Sequence, residues 1–542
     1  MKIDKKYSIP LICGITATFS AKTINAADNS DSGKESDSRP NIIFLMTDDQ
    51  SIESISALSG DKKIKTPNLD KMIEGGVTFM NHYATTSISM ASRAIVMTGM
   101  YEYKTGCNFM HGCLSPDKFE NSYPMLLRNE GYYTGFAGKF GFAVNEDGKE
   151  NHHSYDRLPV DKFDKWGGGV GQSEYVTANN KYMAEYADKY PHSSRSYGAF
   201  AADFIDEATQ TGKPFCLSIS FKAPHAPRIV DKMFEDVYAD TEFTPPPSAK
   251  DADSLLPMQA KLGRQFLTYY GGVMFSDYDK NVKLYHTQVH GVDYAVGMIM
   301  EKLKETGLDK NTVVIFTADN GFSLGEHRMG GKVLAYDSNS SIPMIIVDPR
   351  QSANNGKRVD GLSANIDIAP TILDYAEVKV PKNMDGISLK KAVENPDAKV
   401  HDDISLINVW GSPGCFSLSI VKDKMKYIYW CFNDGMNSTE ELFDLTADPL
   451  ELNNLSKNIG QEPTLKKMRK LYDARLNEWR KNGTKTNDYS SFTTILTRGL
   501  DWESRKAKIS DIFWKSYETT VKNQMKYDGD PYDYDEVVKH RL

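Results

Sequence analysis

Four short stretches of this chain are dominated by apolar and strand-favouring residues: Asn41–Met46, Tyr132–Ala137, Pro214–Phe221 and Thr312–Thr317. Runs of that length and composition predict strands buried on both faces of a parallel sheet. Each gives way at once to polar residues: Thr47-Asp48-Asp49-Gln50, Gly138-Lys139-Phe140-Gly141, Lys222-Ala223-Pro224-His225-Ala226-Pro227 and Ala318-Asp319-Asn320-Gly321. In an open α/β sheet the carboxyl ends of the strands line one crevice, so these four segments are predicted to meet. A further strand is expected at Ile342–Val347, and helices are expected from Pro67, from the Ser89–Gly99 stretch and over Gln288–Thr306.

Beyond residue 397 the pattern changes. Phe416–Ile420 and Met425–Phe432 read as antiparallel strands joined by the turn Lys422-Asp423-Lys424, followed by a helix to about Trp479 and a charged, aromatic tail from Thr484. The fold class expected is α/β, a large mostly parallel sheet flanked by helices over residues 40–397, with a smaller α+β subdomain over 398–542. Asn145–Tyr197 is rich in Gly, His, Tyr and Asp without periodicity, and reads either as a loop shaping substrate access or as plain surface.

Charge and composition narrow the partners. A net charge of −8 leaves no general basic footprint, which excludes nucleic acid as the expected partner and requires any anion site to be built locally. Lys2, Lys5 and Lys6 precede a mostly apolar run from Ile9 to Ala21 and small residues at Ala26 and Ala27. That order is a secretory signal peptide over residues 1–27, too short for a membrane span, so export to the periplasm is expected in preference to the extracellular medium, with no membrane insertion. Residues 28–39 read as a disordered linker. Of the cysteines that remain, Cys107 and Cys113 either pair or are small buried thiols, and none has zinc spacing.

The candidate chemistry is concentrated in a few residues. Ser89-Met90-Ala91-Ser92-Arg93 precedes an apolar helix-like run, and a helix N-terminus beside an arginine favours a tetrahedral anion. Asp48, Asp49, Asp319 and Asn320 supply oxygen donors and no soft ligand, which selects a hard cation such as Ca²⁺ over zinc. Lys139 and His225 stand at two of the other strand ends.

The Ser89-x-Ala91-Ser92-Arg93 stretch with Thr98-Gly99 after it resembles the signature of the sulfatase family, within the alkaline phosphatase superfamily. Similar flanking elements run from about residue 40 to 480, among them Thr66-Pro67-Asn68-Leu69-Asp70, Gly325-Glu326-His327, Asn365-Ile366-Asp367 and Asp448-Pro449-Leu450-Glu451. The resemblance implies that a maturation enzyme converts Ser89 to formylglycine, whose hydrate is the nucleophile. It also implies that Arg93 orients the hydrate, Lys139 and Lys332 hold sulfate oxygens, and His225 serves the leaving oxygen. His327 is the candidate acid or substrate contact, because Gly141 stands where the family often has a histidine; Ser341 replaces a common arginine.

The function implied is an exported sulfatase acting on O-sulfated carbohydrate such as host glycosaminoglycan or mucin glycans. The alternatives are a phosphodiesterase or phosphonate monoester hydrolase of the same superfamily, and a non-catalytic sulfated-glycan binder.

Overall fold

In a computed structural model of the chain, the described residues are 38–508 apart from 147–152, 251–254, 262–264, 266–276, 411–414, 432–436 and 488. The expected signal peptide, most of the linker and the end of the tail lie outside them. All described residues fall in one unit spanning Ser38–Leu542, and none of their helices is long and apolar enough to cross a membrane.

The strands, numbered along the chain, are β1 (Asn41–Thr47), β2 (Val77–Tyr83), β3 (Tyr133–Lys139), β4 (Lys165–Gly169), β5 (Phe215–Ser220), β6 (Thr312–Ala318), β7 (Ser323–Leu324), β8 (Gly330–Gly331), β9 (Met344–Val347), β10 (Lys357–Ala364), β11 (Ile404–Asn408), β12 (Ser417–Lys422), β13 (Met425–Trp430) and β14 (Thr439–Asp444). Eight of them form one sheet in the order β10-β2-β9-β6-β1-β5-β3-β4. β1 is central and parallel to both neighbours, with Phe44 level with Ser218 on β5 and Ile315 on β6. Only β9 runs against its neighbours in this sheet.

Both faces of the sheet are covered, as the apolar runs require. Ile42, Phe44 and Met46 pack into a layer with Val313, Ile315 and residues Met90, Ala94 and Met97 of the Ser89–Thr98 helix. Ile43 and Leu45 point the other way, into a layer with Val314, Phe316, Phe200 and Phe204 of the Ser193–Thr211 helix, and Val292, Val296 and Ile299 of the Tyr278–Glu305 helix. Each fully buried side chain of this kind contributes about 1.5–3 kcal/mol.

Several expected boundaries move for identifiable reasons. β3 extends two residues further, through Lys139, because Gly138 and Lys139 pair with Gly168 and Gly169 of β4. β4 itself comes from the aperiodic 145–197 stretch, where a Lys-Trp-Gly-Gly-Gly run carries no strand signal. The helix expected from Gln288 starts at Tyr278, behind an Asp277 cap that accepts from the Lys280 N–H. No disulfide joins Cys107 and Cys113; both are buried thiols, and Cys113 Sγ donates to Asn145 Oδ1 at 2.9 Å.

The second sheet is antiparallel, in the order β11-β12-β13-β14. Asp423 and Lys424 both hold positive φ, at 50° and 63°, which is the turn geometry that matches strand twist between β12 and β13. These two strands end at Lys422 and Trp430, displaced from the expected Phe416–Ile420 and Met425–Phe432. Leu465, Met468, Tyr472, Leu476 and Trp479 of the Glu462–Asn482 helix pack on one face of it, against Leu418, Ile420, Tyr427 and Tyr429.

Candidate active site

The polar segments after β1, β3, β5 and β6 do meet, and the start of the Ser89–Thr98 helix enters their crevice. Ser89 is 1% exposed. Its Oγ donates to Asp48 Oδ1 at 3.0 Å and accepts from Lys332 Nζ at 2.7 Å. The helix closes at Gly99, which caps it at φ 65° with its N–H on the Ile95 carbonyl, so the Thr-Gly of the motif has a local conformational cause.

Arg93, one turn into the helix, is also buried. Its Nε and Nη2 grip Asp319 Oδ2 at 3.0 and 2.8 Å, Nη1 donates to the Lys139 carbonyl at 2.9 Å and to Ser220 Oγ, and Nη2 stands 3.5 Å from Asp48. Lys139 Nζ is shared between Asp48 Oδ2 and Gln172 Oε1. Lys332 Nζ reaches Asp49 Oδ1 at 2.5 Å, and Asn320 Nδ2 donates to the same oxygen at 2.8 Å. Three carboxylates thus face three cations in one buried network.

His225 lies beside them, its Nε2 3.8 Å from Asp49 Oδ2. Nδ1 faces the Ala226 carbonyl, an acceptor, which assigns the ring proton to Nδ1 and leaves a lone pair on Nε2 turned toward the carboxylate. Burial pushes this imidazole down to about 4. Burial would raise Asp48, but Lys139, His225, Arg93 and Lys332 together hold it well below the usual carboxylate range. Asp319 is pushed up to about 6 by burial and by Asp48, and burial brings Lys139 down to about 8.

The donor set fits a hard cation. Donor atoms of Asp48, Asp49 and His225 lie within 4.8 Å of one another. Among the described residues Asn320 Oδ1 is buried without a hydrogen-bond partner, a costly state that a bound cation would relieve. Asp319, the other expected carboxylate ligand, accepts from Arg93 through Oδ2 and from the Asp49 N–H through Oδ1, at 3.1 Å.

His327 has a different set of contacts. It is 3% exposed, stacks on Tyr336 at 4.8 Å, and its Nε2 lies 3.2 Å from the Glu451 carbonyl, so its contacts are with the C-terminal part of the chain and not with the Ser89 network. Gln172 and Ser220 are site residues that sequence reading missed. Gln172 sits in the aperiodic stretch, and Ser220 is an ordinary inward position of β5. Ser92 belongs to the motif, but its use is visible only here: its Oγ donates to the Asp319 carbonyl and accepts from Asn365 Nδ2 at 2.9 Å, tying three segments together.

Fold and site together describe a hydrolase arranged around a tetrahedral anion. The family model described as Sulfatase matches residues 40–378, and one described as N-sulphoglucosamine sulphohydrolase, C-terminal, matches residues 325–482. The chain belongs to the sulfatase family, the sulfuric ester hydrolases. It is 27% identical over 535 residues to an N-acetylglucosamine-6-O-sulfatase of Bacteroides thetaiotaomicron, covering 86% of this chain and 90% of that one. Among solved structures, that of BT4656 in complex with its substrate D-glucosamine-2-N,6-O-disulfate has a TM-score of 0.66 at 23% identity, over 82% of this chain and 99% of that one. A phosphonate monoester hydrolase of Agrobacterium radiobacter shares the fold at a TM-score of 0.64 and 20% identity, over 83% and 97% of the two chains.

Proposed function

We propose that this sulfatase removes O-sulfate from a sulfated amino sugar of glycosaminoglycan or mucin type, with formylglycine made from Ser89 and one Ca²⁺. The observation that carries the reading is the placement of the Ser89 hydroxyl, buried between the Asp48 carboxylate and the Lys332 ammonium. The activity named for the Bacteroides relative supports the amino sugar. The N-terminal segment supports export, with residues 1–27 removed as a signal peptide.

Asp48, Asp49, Asp319 and Asn320 would hold the ion, with His225 beside it. When present, the two groups supply a geminal diol as nucleophile and a divalent charge next to it; an unmodified serine would stop at a stable sulfate ester. Arg93 is pinned through three of its donors, so it orients the head of the helix without reorganising. Lys139 and Lys332 lie on opposite sides of Asp48 and grip oxygens of the transferred group. His225 serves the leaving oxygen when its Nε2 carries a proton. Three carboxylates balance three cations, so an added divalent ion leaves room for a singly charged ester and a deprotonated nucleophile.

That balance fits a sulfate monoester, and it equally fits a phosphonate monoester, which is also a monoanion. The test therefore uses both. After expression in a host with the anaerobic maturation system, the peptide spanning Ser89 should be lighter by two hydrogens, and the enzyme should release sulfate from one member of a panel of monosulfated hexosamines. Release from a phenyl phosphonate ester without release of sulfate would move the assignment to the phosphonate hydrolase. An unmodified Ser89 with no turnover, beside a control sulfatase that matures normally, would leave a sulfated-glycan binder.

A further inference from the structure

We propose that the small C-terminal sheet is a working part of the active site: Lys426 on β13 braces the strained loop that aims Lys332. The inference rests on the reading of Lys332 as a group that binds the transferred sulfate.

Lys332 follows the short β7–β8 hairpin, and the residue after it, Val333, holds φ at 94°. A β-branched side chain in that region is strained, and such a backbone persists only when its surroundings over-determine it. Val333 is buried against Ile88, Ala91 and Trp410, so the strained residue packs on the residue just before Ser89 and on the one two positions after it, at the head of the helix. On the near side the loop is tied by Asn339 Nδ2 to the Gly331 carbonyl at 2.9 Å and by Gln265 Nε2 to the Lys332 carbonyl.

On the far side the ties come from the second sheet. Lys426 is 0% exposed, and its ammonium donates to the Ala335 carbonyl at 2.9 Å while pairing with Asp337 and, at 2.8 Å, with Glu451. Glu451 in turn accepts from the Asp337 N–H at 2.6 Å. The Tyr336 hydroxyl donates to Glu441 Oε2 on β14 at 2.9 Å, an oxygen that also takes the Trp430 Nε1–H at 2.7 Å. Three consecutive residues, 335 to 337, are therefore each anchored to the C-terminal part of the chain. None of these anchors touches Ser89, so Lys426, Tyr336 and Glu441 are positioning residues. A buried ammonium on a backbone carbonyl and two carboxylates is suited to the task, because no water competes for it.

The test compares Lys426→Met, Lys426→Arg, Tyr336→Phe and Lys332→Ala in the matured, full-length enzyme, below the unfolding temperature of each. It follows turnover of an activated aryl sulfate and inhibition by inorganic sulfate. Lys426→Met should lower kcat about tenfold or more and weaken inhibition by sulfate in the same sense as Lys332→Ala, since a misplacement of about 1 Å is enough for losses of that order. Lys426→Arg should recover part of both, and Tyr336→Phe should show the same pattern in smaller measure. A folded Lys426→Met enzyme with unchanged kcat and unchanged sulfate inhibition, beside a crippled Lys332→Ala, would overturn the brace. If Lys426→Met does not fold, unaltered sulfate inhibition in Tyr336→Phe overturns it. Full activity in Lys332→Ala would instead overturn the role given to Lys332.

Discussion

Gly141 and Arg93 are packed so closely that a β-carbon on residue 141 would lie 2.6 Å from the arginine Cδ, and Gly141 itself holds φ at +83°. The arginine cannot step aside, because its guanidinium is held by Asp319, the Lys139 carbonyl and Ser220. Glycine suits this position, because a side chain there would press on Arg93. Gly141→Ala should cost about 1–3 kcal/mol of stability from the backbone alone. Turnover should fall by more than the unfolded fraction explains. Tm and kcat measured on the same preparation check it, and an unchanged kcat would mean that Arg93 tolerates the shift.

The orphaned Asn320 Oδ1 makes a metal prediction that does not depend on turnover. Chelator-treated protein should gain thermal stability on adding Ca²⁺, by about 2.7 kcal/mol at a hundred times Kd. Asn320→Ala should shrink that gain, since it removes one oxygen donor while leaving Asp48 and Asp49 in place. Differential scanning calorimetry across a Ca²⁺ titration measures it. A Tm indifferent to Ca²⁺ in the wild type would remove the cation from the site.

A pH dependence is expected away from the site. Burial would lower His401, but the Asp367 carboxylate 2.7 Å from its Nε2 overrides this and holds the imidazole above its ordinary value. A group whose folded value is raised stabilises fully below its unfolded value of about 6.5 and loses that contribution as pH rises through the folded value. The Tm gap between wild type and His401→Gln should therefore be widest at acid pH and narrow above neutrality. A gap independent of pH would mean that the pair acts through packing or a neutral hydrogen bond.

Much of the site was legible because its signals are local. A buried strand needs an unbroken apolar run, and a chain leaving such a strand must turn with polar residues; Asp48, Asp49, Asp319 and Asn320 were found on that basis. Gly99 marks a helix end for a reason contained in its own φ. The ends of β3 and β4 were less legible, because Gly138 and Lys139 are strand residues by virtue of partners distant in sequence, Gly168 and Gly169 on β4 and Ser220 on β5. His327 illustrates the same limit. Its neighbourhood in sequence resembles a family element, yet a φ of 51° and a stack on Tyr336 turn it toward Glu451.

By itself the sequence determined the buried strands β1, β3, β5 and β6, the motif that opens the Ser89 helix, and which kinds of donor are available to a cation. Each of these depends on residues within a few positions of one another. The tertiary structure alone decided the partners: Arg93 with Asp319, Lys139 with Gln172, Lys332 with Ser89, and Lys426 with the loop that bears Lys332. A buried charge takes as its partner whatever the strand order brings within about 3 Å. That order, with β9 reversed between β2 and β6, is set by the packing of both faces of the sheet, which no single segment encodes.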